Sequence, residues 1–386
     1  MMNKRSTMGK VPNLRFPGFE GEWEVKKLGD VAEFSKGKGI SKSDVDESGT
    51  TECIRYGELY THYREVIAEI KSKTNVHIAN LVLSETNDVI IPSSGETQID
   101  IATASCVLKS GVALGGDLNI IKSKNNGIFL SYYLNNKKKI EIASLAQGIS
   151  IVHLYSSQLA LLALNLPSQD EQQKIATFLS LIDERIEAQS KIIQRLETSI
   201  QGLREKLFKQ KIKFTDENGK DFPNWEVKQL GKILTIGSGK DYKHLGRGDI
   251  PVFGTGGLMT YVDSFLYNGE TICFGRKGTI DKPMYYQGKI WTVDTLFYTH
   301  SFLNCVPKFI FYIFQSINWI EYNEASGVPS LSKSTIEKIP LLIPSLAEQT
   351  LIANFLSSID KKIEEEKKIL EHYKNQKKYL LRNMFV

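Results

Sequence analysis

Between residues 175 and 207, apolar side chains recur at alternating steps of four and three: Ile175, Leu179, Ile182, Ile186, then Gln189, then Ile193, Leu196, Ile200, Leu203 and Leu207. A mean step of 3.5 residues is the seam of a coiled coil, and it leaves this stretch almost nothing to become except a long helix paired with another. A second seam follows: Ile352, Leu356, Ile359, Ile363, Glu366, Leu370, Tyr373, Lys377, Leu380 and Met384. A helix of about 40 residues would run about 60 Å. Gln189 and Glu366 hold corresponding places, and a polar seam residue fixes register at some cost in stability.

The two seams belong to a duplication. "PSQDEQQKIATFLSLIDERIE" begins at Pro167, and "PSLAEQTLIANFLSSIDKKIE" begins at Pro344, an offset of 344 − 167 = 177. The same offset joins Asp117 to Asp294 and Phe208 to Phe385. Upstream, "WEVKKLGDV" at Trp23 returns as "WEVKQLGKI" at Trp225, an offset of 225 − 23 = 202. The first block is therefore 202 − 177 = 25 residues longer inside a shared frame. Each long helix opens with a serine followed three residues later by glutamate, Ser168 with Glu171 and Ser345 with Glu348. That spacing predicts a capping box, in which the hydroxyl accepts from an orphan backbone N–H and the carboxylate reaches back.

Inside the blocks the pattern is mixed. "DVIIPSS" from Asp88 and "ETICFG" from Glu270 predict buried strands. "GIFLSYYLNNKKKIEIASL" from Gly127 and "PKFIFYIFQSINWIEYNEAS" from Pro307 predict matching helices, and "LALLALNLP" and "IPLLIP" predict closing strands that feed the caps. Residues 211–224, "KIKFTDENGKDFPN", form the clearest linker.

Signs of chemistry are missing. The four cysteines, Cys53, Cys106, Cys273 and Cys305, form no C-x-x-C pair, so free buried thiols are expected. "GSGK" at residue 237 lacks the spacing of a phosphate-binding loop, and "GTGG" at residue 254 is no dinucleotide fingerprint. The six histidines make no metal spacing, and His153 and His300 read as satisfied polar residues. No apolar run is long enough to span a membrane, and the basic "MMNKRSTMGK" is followed by no apolar segment, so a cytoplasmic place is expected. The net charge of +5 permits nucleic acid without demanding it.

Basic residues beside glycine do recur in both blocks: Lys36, Lys38 and Lys42 in "SKGKGISKS", Lys240, Lys243, His244 and Arg247 in "GKDYKHLGRG", and Arg276, Lys277 and Lys282 in "GRKGTIDK". Such residues suit phosphate, and arginine can take guanine through two hydrogen bonds. Taken singly, each cluster also reads as a solvated loop, as "NNKKK" at Lys137, Lys138 and Lys139 does.

The paired P-S-x-x-E-Q helix starts, each closing a block that opens on "WEVK", resemble the specificity subunit of type I restriction-modification systems, and "GRKGT" resembles a recurrent segment of its domains. The resemblance implies an α+β chain with two mixed α/β target-recognition domains held apart by a long antiparallel two-helix coiled coil, with an internal pseudo-twofold repeat. It places the first domain at 1–166, the central helix at 167–212, the second domain at 213–343 and the C-terminal helix at 344–386. It implies a non-catalytic subunit that reads a bipartite double-stranded DNA target. Two methyltransferase subunits would dock on it and two motor-nuclease subunits would join, carrying S-adenosylmethionine, ATP and Mg between them in a bacterial cytoplasm. A coiled-coil scaffold with two protein-binding heads and no DNA role is the alternative reading of the same residues.

Overall fold

The computed structural model describes residues 11–148 and 151–386; the basic segment at residues 1–10 lies outside them. The chain forms two compact units, one from the residues up to 189 together with 369–386, the other from residues 190–368. The division falls inside both long helices, Gln169–Phe208 and Leu346–Asn383, so each helix gives one end to each unit.

In the first unit the opening strand Glu24–Lys27 lies antiparallel to the closing strand Ala163–Leu166. A five-stranded mixed sheet runs in the order Ala32–Lys36, Leu118–Ser123, Asp88–Pro92, Ser105–Val107, Val66–Ile67. Asp88–Pro92 is buried throughout, as a central strand must be. The helix Gly127–Tyr133 starts where the Asn126 side chain accepts from the Phe129 N–H at 2.9 Å, then passes through a π-turn into Lys139–Leu145. A three-stranded sheet of Ser72–Thr74, Thr51–Ile54 and Ala113–Leu114 fills the longer interior.

The second unit repeats the frame. Its opening strand Glu226–Gln229 pairs antiparallel with Pro340–Ile343. A six-stranded sheet runs Thr235–Ser238, Leu296–His300, Tyr267–Gly275, Met284–Thr292, Ile250–Gly254, Gly257–Val262. The first three strands reproduce the first unit's register: Lys36 faces Asn119, and Ser238 faces Phe297; Pro92 faces Leu118, and Gly275 faces Leu296. Beyond those strands the units part company, one adding a separate sheet and the other the hairpin Ile250–Val262.

Structure explains the repeated helix-start motif. Ser168 Oγ accepts from the Glu171 N–H, and Ser345 Oγ from the Glu348 N–H, each at 3.3 Å. The glutamates do not complete the boxes. Glu171 takes Arg15 Nε and Nη2 at 2.8 and 2.7 Å, and Glu348 takes Trp225 Nε1 at 3.0 Å. The following glutamines act as clamps. Gln172 donates to the Pro167 carbonyl and to Asn125, and accepts from the Asn126 N–H. Gln349 donates to the carbonyls of Pro344 and Asn304, and accepts from the Val306 N–H. Each clamp ties a long-helix start to the start of the unit's core helix, so both backbone ends are satisfied by one buried amide.

Every seam position is buried or half-buried. Within the first unit Asp183 meets Lys377 at 2.8 Å; within the second Glu197 meets Lys367 at 2.6 Å. Residue numbers rise along one helix as they fall along the other, so the pair is antiparallel. The helix tips close the cores. Phe385 lies 5.5 Å from Phe129 and 6.5 Å from Trp23 in the first unit. Phe208 lies 5.8 Å from Phe309, itself 6.3 Å from Trp225, in the second. Each unit is thus completed by the tip of the helix that starts in the other half of the chain. Off the seam, Phe178 and Phe355 meet Phe16 and Phe214 edge to face at 5.4 and 5.7 Å, whereas Ile192 and Ile369 remain 43% and 39% exposed. Phe214 and a bridge between Thr215 and Asp221 give the 211–224 segment structure of its own.

Candidate nucleic-acid interface

In the second unit, the turn at residues 292–296 organises the basic residues. Lys240 N–H donates to the Thr292 carbonyl at 2.8 Å, and Gly239 N–H to the Leu296 carbonyl at 3.0 Å. Arg276 and Lys277 both donate their N–H groups to the Thr295 carbonyl, at 2.8 and 3.2 Å. Trp291 Nε1 donates to the Lys240 carbonyl at 2.9 Å, and the His244 ring stands 5.9 Å from Trp291. The Arg276 guanidinium lies 5.7 Å over Phe297. Lys240, His244, Arg276 and Lys277 are therefore gathered at one turn. Lys243 and Arg247 sit on the exposed loop after it, whose Gly246 packs against Asp263.

The first unit builds the same turn from residues 114–118. Lys38 N–H donates to the Leu114 carbonyl at 2.9 Å, and Gly37 N–H to the Leu118 carbonyl at 3.0 Å. Ser93 N–H donates to the Asp117 carbonyl at 2.8 Å, where Arg276 stands in the second unit. Lys36 ends its strand, and Lys42 opens a short turn in which Asp44 accepts from the Ser41 N–H at 2.6 Å. The Ser41 hydroxyl holds the Asp44 carboxyl below its usual range. Lys42, Arg55, Tyr56 and Asp117 line one cleft.

Two features escape a reading of the sequence. Arg55 is brought to the Lys42 cleft from a distant strand end. Ser93–Ser94 and Arg276–Lys277 correspond at an offset of 276 − 93 = 183, which matches neither sequence offset because the insertions between them differ. The one available signal was the Asp117–Asp294 pair, which falls in both turns but one place out of register, since by its contacts Asp117 corresponds to Thr295.

None of the nine candidate cations (Lys36, Lys38, Lys42, Lys240, Lys243, His244, Arg247, Arg276, Lys277) forms an ion pair among the described residues, whereas Lys109 and Lys122 pair with Glu52 and Glu85. The "NNKKK" cluster differs, since it lies on a helix rather than a loop. Lys137 donates to the Arg382 carbonyl, Asn136 to the Leu381 carbonyl, and Lys139 to Thr103, so these side chains bind the end of the second long helix and a neighbouring turn. Burial pushes the Lys137 and Lys139 ammonium groups below their usual range.

Among the described residues, no three His, Cys, Asp or Glu side chains gather as a metal site, and no helix is long and apolar enough to cross a membrane. All four cysteines are buried, and burial pushes Cys53 and Cys305 up to about 11 and Cys106 and Cys273 up to about 12. Such thiols stay protonated and unreactive at neutral pH.

Two α/β units that share an antiparallel helix pair, each with cations around one turn that form no ion pair among the described residues, have the arrangement of a recognition protein with two reading units. The chain matches the family described as type I restriction modification DNA specificity domain, over residues 20–198 and 223–374, and it belongs to that family. It is similar to the MjaVIII specificity subunit of Methanocaldococcus jannaschii, 26% identical with 98% of this chain and 95% of the relative covered. The putative MjaX specificity subunit of the same organism is 24% identical over 98% and 94%. The crystal structure of the S subunit of a type I system from M. genitalium superposes with a TM-score of 0.68 at 19% identity, covering 97% of this chain and 99% of that one. The chain is thus the DNA target specificity subunit of a type I restriction-modification system, non-catalytic itself, with catalysis on the methyltransferase and restriction subunits. Family membership sets aside the scaffold reading.

Proposed function

We propose that each unit reads one half of a bipartite duplex target and that the antiparallel helices fix the spacing between the halves. The blocks at 1–166 and 213–343 serve as the recognition domains, and the helices at 167–212 and 344–386 as the spacer. What carries this reading is one observation: both units hold a turn with the same backbone contacts, rimmed by cations without carboxylate partners among the described residues, while the segments beyond it differ. A common turn places the duplex, and unlike loops allow unlike half-sites. The candidate contacts are Lys36, Lys38 and Lys42 in one unit, and Lys240, Lys243, His244, Arg247, Arg276 and Lys277 in the other.

The equivalent exposed residues Ile192 and Ile369 support docking of two like methyltransferase subunits, since a repeated surface presents the same face twice. Those subunits supply S-adenosylmethionine, and two motor-nuclease subunits supply ATP and Mg, so this chain binds none of the three. Its place is the cytoplasm. Mapping of methylated adenines in cells that express the chain with its methyltransferase subunit tests the reading. A split motif that appears only with this chain is the expected result. An unsplit motif, or methylation independent of the chain, would overturn it.

A further inference from the structure

Lys38 and Lys240 are separated by 240 − 38 = 202 residues, the offset that also relates Trp23 to Trp225. Their correspondence is structural as well. Each follows a glycine, and each pair makes the same two backbone hydrogen bonds to opposite ends of the turn. The glycines are required by space. A Cβ on Gly37 would stand 2.0 Å from the Gly115 carbonyl oxygen, and one on Gly239 would stand 1.9 Å from the Val293 carbonyl oxygen. Backbone therefore presses on backbone at the same point in both units, and the next side chain is carried outward at a fixed place.

The N–H groups of both lysines are already donated inward, so the backbone has no donor left for a ligand there. What each position presents is an exposed ammonium without a carboxylate partner among the described residues. The neighbours are not held in common. The second unit's Arg276 and Lys277 give way to Ser93 and Ser94, and the turn that carries Lys42 is capped by Ser41 and Asp44, whereas the turn that carries Lys243 is closed by the Leu245 N–H on the Tyr242 carbonyl. A side chain kept in one place while its surroundings diverge serves what two unlike half-sites share. Two DNA half-sites of different sequence share the phosphodiester backbone. Lysine, a compact point charge without the planar fork of arginine, suits a single phosphate oxygen better than a base edge.

We infer that Lys38 and Lys240 each bind one backbone phosphate, as equivalent sequence-independent anchors of the two units. This rests on the DNA-reading function proposed above. The test uses the complex with the methyltransferase subunit and compares wild type with K38Q, K240Q, the double substitution and K38R. Binding to a target duplex and to a scrambled duplex is measured across a salt series. The wild-type complex comes first: absence of a target preference would sink the DNA reading itself. With that preference in place, each glutamine substitution is expected to lower the salt slope by about 0.9 and to weaken both duplexes roughly eightfold at 0.1 M salt. K38R is expected to keep the wild-type slope, and the methylated motif to stay the same in every variant. An unchanged slope in both glutamine variants, or an altered base preference in either half-site, would overturn the anchor while leaving the DNA reading intact.

Discussion

Phe385 and Phe208 occupy matching positions but unequal surroundings. Phe385 is 2% exposed, wedged among Trp23, Phe129 and Tyr133, whereas Phe208 is half-buried against Phe309. Cavity cost scales with how completely the lost ring was enclosed. Phe385→Ala is expected to lower stability by about 3–4 kcal/mol and Phe208→Ala by about half as much. Denaturant titrations of the two variants check this, and equal losses would show that the pockets are equivalent after all. The same inequality appears at the paired glutamates. Glu171 binds Arg15 and leaves Trp23 Nε1 without a hydrogen-bond partner among the described residues, while Glu348 binds the indole of Trp225, and burial raises its carboxyl above the usual range. The sequence makes these residues visible as repeats. Their partners are hidden, because Arg15 and Trp225 reach them across 156 and 123 residues.

Among elements, the long helices were the most legible, since their period is written locally and needs no distant partner. The recognition turn was the least legible: Lys38 and Lys240 keep the 202-residue offset of Trp23 and Trp225, but Ser93–Ser94 and Arg276–Lys277 come from strands whose spacing shifts with each insertion, so their meeting at the turn could not be seen. Between these extremes lies the contact of helix with block. Tyr132 donates its hydroxyl to Asp183, and Tyr312 donates to Asp360 at 2.6 Å; the two aspartates are 360 − 183 = 177 residues apart. Burial is the main cause that lifts both phenols above their usual range. Asp183 also receives Lys377 of the opposing helix, which explains a lysine in a largely apolar seam. With side chains 18% and 15% exposed, the pair is largely desolvated. Lys377 also reaches Glu65 at 3.2 Å. Asp183→Asn therefore leaves its ammonium one carboxylate and is expected to cost about 1 kcal/mol, whereas adding Glu65→Gln strands the charge and raises the cost to about 3 kcal/mol. Thermal melts of the single and double variants decide. A double variant as stable as D183N would mean that the lysine is not held by these two carboxylates.

For the whole molecule, the proposed spacer role makes a length prediction. Four residues inserted after Gln189 and four after Glu366 lengthen each helix by roughly 6 Å while keeping their seams facing. The methylated motif is then expected to keep both half-sites and gain one or two base pairs between them. Altered half-sites with unchanged spacing would end the idea that the helices act as a ruler. The tip of the second helix has another consequence, for the order of assembly during synthesis. Residues 1–189 leave the ribosome first, yet the wall that Phe385 provides against Trp23 and Phe129 arrives last. Residues 190–368 can close before it does. The earliest-made half of the chain therefore waits with an open greasy slot, and a nascent chain halted before residue 369 should remain protease-sensitive there while its later half is already resistant.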